Sequence, residues 1–193
     1  MPIDGLTRNP AIVQLDPDVP MWVLDTNVVL DWLVFDDPSM RQASAWLKSG
    51  RVHWLATDAM RDEALEVAAR PVFAKHGEPG DLCARIAAAY REHARMLRPA
   101  AAAKLRCADP DDQLFVDLAL AQAAELLLTR DRALLALAPT ARTQGLSIAR
   151  PQDVRWAQPQ AQAFSAGHAF AHARPTALGP DDHDDTQCDQ RQR

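Results

Sequence analysis

The chain has 193 residues, of which 48% are hydrophobic and 24% are charged, with a formal net charge of −5. This is typical of one globular domain with its own core, and the net charge argues mildly against a nucleic-acid partner. The three cysteines form no CxxC pair, no apolar run reaches the ~18 residues of a membrane helix, and no secretory signal is visible, so we expect a cytoplasmic protein without a disulfide framework, zinc site or membrane contact.

The predicted elements alternate between strands and helices along the chain. Short apolar runs predict buried strands at residues 21–24, 52–56, 126–128 and 146–149. Apolar periodicity, caps and breakers predict helices at residues 28–34, 40–48, 57–70, 82–97, 112–124 and 132–137. This order predicts an α/β fold, a three-layer α/β/α sandwich with a mostly parallel central sheet.

The two ends of the chain lack this periodicity. Residues 1–19 are rich in proline and are predicted to be a flexible lead-in. Residues 158–193 turn to Gln, Ala, His, Asp and Pro without a sustained apolar stripe, which predicts a disordered, low-complexity tail. The organised part of the chain is therefore one predicted domain, residues 20–157.

Acidic side chains stand where predicted strands end. Asp25 follows the first strand, Asp131 follows the third, Asp112 begins the helix that leads to that third strand, and Glu63 lies in the first turns of the helix after the second strand. The carboxyl ends of parallel strands share one edge, so all four can converge there. Four carboxylates in one pocket either protonate or bind a divalent cation, and oxygen-only ligands favour Mg²⁺, Mn²⁺ or Ca²⁺ over zinc. Mg²⁺ held in this way is usual for phosphate-ester chemistry.

Structural alternatives exist for these positions. The Asp25-Thr26-Asn27 run could simply cap a helix. Glu63 could be solvated, and Asp62 and Glu66 are rivals for its role, although their helical phase differs.

The third acidic position has rivals of its own. Asp109 precedes a proline and is a natural turn former, and Asp111 is expected to be exposed, so Asp112 is the favoured ligand. Asp131 could cap its own helix and still bind metal. Asp31, one turn beyond Asn27, could rim the pocket, although a solvated position is expected.

Seven basic residues could line an RNA path, or simply form solvated helix faces. They are Arg61, Arg70, Arg91, Arg95, Arg98, Lys104 and Arg106. Trp22 and Trp54 could stack on bases but are expected in the core, since both lie in predicted strands.

The chain resembles the PIN-domain family, of the kind found as toxins in bacterial toxin–antitoxin pairs. The resemblance covers about residues 21–154 and is carried by four motifs in order: VLDTNVVL at 23–30, MRDEALEV at 60–67 with Arg70-Pro71 after it, DPDDQLF at 109–115 and AELLLTRDRALL at 124–135. It implies an α/β/α sandwich and Mg²⁺- or Mn²⁺-dependent endonucleolytic cleavage of RNA, usually single-stranded. It also implies a cognate antitoxin and a homodimer.

The family's acidic quartet maps onto Asp25, Glu63, Asp112 and Asp131. Asn27 and Thr129 match family polar positions that orient the carboxylates or a bound water. Arg130 stands where the family often has glycine, and it could either contact a substrate phosphate or crowd the site.

Two other functions compete with this one. A PIN-fold protein could bind RNA or a partner without cutting, although the intact quartet counts against that. A Mg²⁺-dependent phosphohydrolase of the haloacid dehalogenase type also begins with an Asp at the first strand end, but it needs a second Asp two residues later, where this chain has Asn27.

Overall fold

The computed structural model describes Asp16 and residues 18–154, which lie in the first of the two units into which the chain divides, Met1–Trp156. The predicted tail at 158–193 and almost all of the predicted lead-in at 1–19 lie outside the described residues.

Strands and helices alternate through the described residues. The strands are short and largely buried: β1 (Met21–Leu24), β2 (His53–Thr57), β3 (Ala94–Leu97), β4 (Leu126–Leu128) and β5 (Ser147–Ala149). The helices are α1 (Thr26–Leu33), α2 (Arg41–Lys48), α3 (Asp58–Ala68), α4 (Pro79–His93), α5 (Gln113–Ala121), α6 (Arg132–Ala136) and α7 (Ala138–Arg142). Short 3-10 helices that each begin at a proline cover Pro38–Met40, Pro71–His76 and Pro151–Asp153.

The strands form one five-stranded sheet in the order β3-β2-β1-β4-β5, and every pairing is parallel. In the centre, Val23 of β1 lies between Leu55 of β2 and Leu127 of β4. The chain moves outward from β1 to β3 and then returns to β4 on the other side of β1. The topology therefore reverses between β1 and β4, which is where open parallel sheets bind ligands.

Helices cover both faces of the sheet. Helices α1, α3 and α4 contact one another, whereas α5 contacts β1, β2 and β4, and α6 and α7 contact β5. The chain changes direction along the sheet after β3, so right-handed crossovers place α5, α6 and α7 on the face opposite α1, α3 and α4. The predicted three-layer α/β/α sandwich is confirmed.

The core is built from the strands and the helix faces that cover them. Trp54 of β2 is fully buried, and its ring centroid lies 4.4 Å from that of Tyr90 on α4. Trp22 of β1 is also buried, which confirms that both tryptophans belong to the core. Burying side chains of this size is the main stabilising contribution to such a sheet.

One predicted helix was wrong at its C-terminal end. The sequence predicts helix over residues 82–97, but α4 ends at His93 and Ala94–Leu97 is the edge strand β3. No glycine or proline marks the boundary, and Ala, Arg, Met and Leu are all good helix formers. The strand forms because it pairs with β2, with Thr57 opposite Leu97, a long-range contact that local propensity does not report.

Smaller differences concern helix ends. Helix α1 begins at Thr26, two residues earlier than predicted, and α5 ends at Ala121. Helix α7 was not predicted. No helix in the described part of the chain is long and apolar enough to cross a membrane.

Candidate functional site

Asp25 lies directly after β1, at the point where the sheet topology reverses. It occupies the N-cap position of α1, yet its carboxylate makes no capping hydrogen bond. Instead its Oδ2 accepts a hydrogen bond of 2.7 Å from the Thr129 hydroxyl and one of 3.2 Å from the Asn27 amide. Asp25 is 2% exposed, and burial raises its pKa above the ordinary value even though these two donors lower it. The carboxylate is therefore held for something other than helix capping.

Thr129 connects Asp25 with Asp131. It follows β4 in the sheet and is completely buried. Its hydroxyl donates to Asp25 and accepts a 2.8 Å hydrogen bond from the Asp131 backbone N–H. Asp131 in turn caps α6, because its Oδ1 accepts from the backbone N–H groups of Ala133 at 2.6 Å and Leu134 at 3.2 Å. Oδ2 is not used in the cap and remains available to the site.

Glu63 is half-buried in the second turn of α3, whereas its rivals Asp62 and Glu66 are exposed and paired with Arg61 and Arg70. Burial raises the pKa of Glu63, the Thr26 side chain lowers it, and the negative charge of Asp25 raises it further. Of the three acidic residues considered in this part of α3, Glu63 is the one that the structure brings towards Asp25.

Asp112 stands at the N-cap position of α5 without a capping hydrogen bond from its side chain. Its pKa is raised to about 7 by burial and by the negative charges of Asp25, Asp131, Asp109 and Glu63. The rival Asp109 instead forms a local turn, accepting a 3.0 Å hydrogen bond from the backbone N–H of the exposed Asp111.

Two side chains that the sequence analysis did not single out hold the loop before Asp112. Gln113 Oε1 accepts from the Cys107 backbone N–H at 2.8 Å, and its Nε2 donates to the Leu105 carbonyl at 3.1 Å. The same Nε2 donates to Asp117 at 2.7 Å, and Asp117 accepts from the Ala103 N–H at 2.8 Å. The i, i+4 spacing of Gln113 and Asp117 was the one sequence sign of this arrangement.

The four predicted acidic residues lie close enough for their negative charges to act on one another. We call them the acidic cluster: Asp25, Glu63, Asp112 and Asp131. Within the described residues, none of the four takes part in an ion pair. The fold thus gathers negative charge at the switch point of the sheet, and no cationic side chain among residues 18–154 pairs with it.

The donor chemistry of the acidic cluster fits a hard divalent cation, since every potential ligand is a carboxylate oxygen. Among residues 18–154, however, no group of three or more Asp, Glu, His or Cys side chains is arranged so that it could hold one metal ion. Mg²⁺ in phosphate-ester enzymes is commonly held by one or two carboxylates with water completing the shell, so a closed protein cage is not required.

Arg130, between Thr129 and Asp131, has its hydrogen-bond partners outside the acidic cluster. Its Nε donates to Asp31 in a very short hydrogen bond, and its Nη2 donates to Asp37 at 3.1 Å and to Ser39 at 3.0 Å. Its Nη1 donates to Gln152 at 3.2 Å. We call these side chains the Arg130 network. In the structure the guanidinium donates hydrogen bonds to side chains of the protein itself, and contact with a substrate phosphate stays a prediction.

The expectation of a solvated Asp31 was wrong. Asp31 is only 8% exposed, and burial raises its pKa while Arg130 lowers it. The residue is buried because its charge is paired with Arg130, 99 positions away in the sequence.

Several of the basic residues considered for an RNA path have acidic partners close to them in the sequence. Arg61 pairs with Asp58 on α3 at 2.9 Å, Arg91 reaches Glu92 on α4 at 3.4 Å, and Arg70, just beyond α3, reaches Glu66 at 3.5 Å. Arg61 and Arg91 therefore fit the alternative of a solvated helix face.

Comparison with known proteins identifies the family of this chain. A comparison with solved structures finds the crystal structure of VapBC2 from Rickettsia felis bound to a DNA fragment from their promoter, with 13% sequence identity, 66% of this chain and 96% of that chain covered, and a TM-score of 0.47. Comparison with curated proteins gives no match. The sequence matches the family model of the PIN domain over residues 21–133, more than half of the chain, and that stretch contains the whole acidic cluster. The chain therefore belongs to the PIN-domain family.

Proposed function

We propose that this chain is a ribonuclease that uses Mg²⁺ or Mn²⁺ to cut single-stranded or structured RNA endonucleolytically. PIN domains are generally nucleases. The observation that carries the proposal is the acidic cluster: burial and neighbouring negative charges raise the pKa of Asp25, Glu63 and Asp112, and none of the four members has a cationic partner among the described residues. Such a cluster costs stability unless a cation or a proton neutralises it.

The chain's own residues supply the framework for this chemistry. Thr129 holds the Asp25 carboxylate and the backbone of Asp131 together, so the ends of β1 and β4 keep a fixed separation. Asn27 holds Asp25 from the α1 side. When bound at such carboxylates, Mg²⁺ or Mn²⁺ would act as a Lewis acid towards the phosphodiester and would favour ionisation of water. The residues we propose to hold the metal, directly or through its bound water, are Asp25, Glu63, Asp112 and Asp131.

The test is cleavage of a mixed single-stranded RNA pool and of one structured RNA by purified protein, with Mn²⁺, Mg²⁺ or EDTA. We expect cutting with either metal and none with EDTA. Glu63→Gln should lose the activity, whereas Glu66→Gln, the matched change one turn away at an exposed position, should keep it. If the wild type binds RNA and metal but leaves both substrates intact, the chain is a non-cleaving binder instead.

We also propose that the protein acts in the cytoplasm as the toxin of a toxin–antitoxin pair, as a homodimer that a cognate antitoxin binds. This role comes from the resemblance of the four motifs to PIN-domain toxins. Expression of the wild type in a bacterial host without a partner should arrest growth, and Asp25→Asn at equal expression should relieve the arrest. Normal growth with well-expressed wild-type protein would contradict the toxin role and leave the ribonuclease proposal standing.

A further inference from the structure

A pocket of about 490 Å³ opens beside the acidic cluster. Asn27 and Asp131 belong to its lining, so the pocket is continuous with the site proposed for catalysis. Leu30 of α1 and Val67 of α3 add apolar surface. The pocket lies on the side of the acidic cluster where α1, α3 and the segment after β4 meet.

An aromatic wall lines this pocket. Phe35 is 40% exposed, and its ring centroid lies 5.8 Å from that of Phe73 with the ring planes at 38°. His76 packs edge-on against Phe35, with ring centroids 4.8 Å apart. Phe35 is not loose, because its backbone N–H donates to the Leu30 carbonyl at 3.0 Å and Asp36 after it adopts a left-handed conformation with φ of 49°. The fold thus holds a large apolar ring in solvent at a fixed place.

Charged side chains line the same pocket. Arg130 and Arg132 belong to the lining together with Asp31, which is paired with Arg130. Arg130 is engaged in the Arg130 network, but Arg132 is exposed and forms no ion pair within residues 18–154. The pocket therefore presents a flat apolar surface, a free guanidinium and, through Asp131, the edge of the acidic cluster.

We propose that this pocket is the subsite for a nucleobase that flanks the cleaved phosphate in a single-stranded stretch of nucleic acid. The proposal rests on the ribonuclease function proposed above. A base would stack on Phe35, the neighbouring phosphate would meet Arg132, and the next phosphate would lie at the acidic cluster. Stacking on an aromatic ring tolerates every base, since each has a π face, so the subsite selects for unpaired nucleotides rather than for one sequence.

The experiment uses a fluorescent 2′-O-methyl oligonucleotide, which cannot be cut, and a set of the same oligonucleotide with one abasic nucleotide at each position in turn. Anisotropy with wild-type protein should show affinity reduced about 10-fold when the base at one position is absent. Phe35→Ala should bind the intact oligonucleotide about 10-fold more weakly and should no longer respond to that missing base. Phe35→Trp should restore both properties.

Val72→Ala is the matched control, since Val72 is a 67% exposed neighbour of Phe73 and does not line the pocket. It should bind like the wild type, and melting curves should show that every variant is folded. If no abasic position changes the affinity, or if Phe35→Ala still responds to the same missing base, the pocket is not a nucleobase subsite. It would then be a binding pocket for a partner's side chain. If the protein cuts RNA but no abasic position changes the affinity, the subsite is rejected and the ribonuclease stands. If one abasic position lowers the affinity but RNA is not cut, the pocket binds a nucleobase and the ribonuclease is rejected.

Discussion

Replacing Asp112 with asparagine is expected to reduce RNA cleavage about a thousandfold and yet to raise the melting temperature of the metal-free protein at pH 7.5 by about 3–6 °C. The two effects have one cause. Asp112 is placed where its negative charge is repelled by Asp25, Asp131 and Glu63, which is unfavourable for the folded protein but suited to a divalent cation.

The sign of the stability effect follows from the pKa of Asp112. Its ordinary pKa is 3.8, and burial and the neighbouring carboxylates raise it to about 7 in the folded protein. Between these two values the folded state holds more protons than the unfolded state, so this group makes the protein less stable as pH rises through that window. At pH 7.5 the full penalty applies, and asparagine removes it. Because Asp112 is only half-buried, solvent screening limits the effect to about 1–2 kcal/mol.

Addition of Mn²⁺ or Mg²⁺ at pH 7.5 should raise the melting temperature of the wild type, since a ligand that binds the folded state alone stabilises it. The rise should be much smaller in Asp112→Asn. Asp111→Asn is the matched control, because this neighbouring carboxylate is exposed, and it should resemble the wild type in cleavage and in melting. An Asp112→Asn protein that is less stable than the wild type and still cuts RNA would remove Asp112 from the acidic cluster.

How far the sequence predicted this fold depended on whether the relevant information was local. Strands β1 and β4 were visible as apolar runs ending in polar residues, and that placed Asp25 and Asp131 at one sheet edge. Strand β3 was missed because Ala94–Leu97 has no strand-like composition and is defined by pairing with β2. Local composition identifies central strands, whereas an edge strand of helix-forming residues requires knowledge of its neighbour.

The same distinction applies to the candidate site. Asp25, Asp112 and Asp131 could be placed because each follows or precedes an element whose end the sequence marks, and Glu63 could be placed in the first turns of the helix after β2. Their role as metal ligands stays a prediction. The partner of Asp31 was not predictable, since it is Arg130, on the far side of the sheet's switch point and 99 residues away. An acidic residue on a helix is usually solvated, and only the folded structure shows that its charge is paired.

Replacing Arg130 with methionine is expected to lower the free energy of unfolding by about 3 kcal/mol at pH 8. Methionine keeps most of the apolar stem but removes every donor of the Arg130 network. Asp31 is then left buried without a cation, and Asp37 and Ser39 lose the group that joins them to the segment after β4. Leaving one member of a buried ion pair behind costs more than the pair itself contributes.

The loss should depend on pH in a defined direction. Without Arg130, which lowers the pKa of Asp31 in the wild type, burial and the negative charge of Asp37 both act to raise that pKa, so the folded-state value rises further. The variant therefore binds a proton on folding at pH values between the unfolded and folded pKa, and it loses stability as pH rises through that window. Urea unfolding at pH 5 and pH 8 should show a larger deficit relative to the wild type at pH 8.

Removal of both charges separates the ion pair from simple packing. The double variant Arg130→Met with Asp31→Asn should recover most of the lost stability at pH 8. Its stability should depend on pH no more than that of the wild type, because no buried charge is left at position 31. Arg132→Met, two residues away at an exposed position, should change the free energy of unfolding by less than about 0.5 kcal/mol. If Arg130→Met is as stable as the wild type at both pH values, the guanidinium does not hold the loop, and Arg130 would be free to contact a substrate phosphate instead.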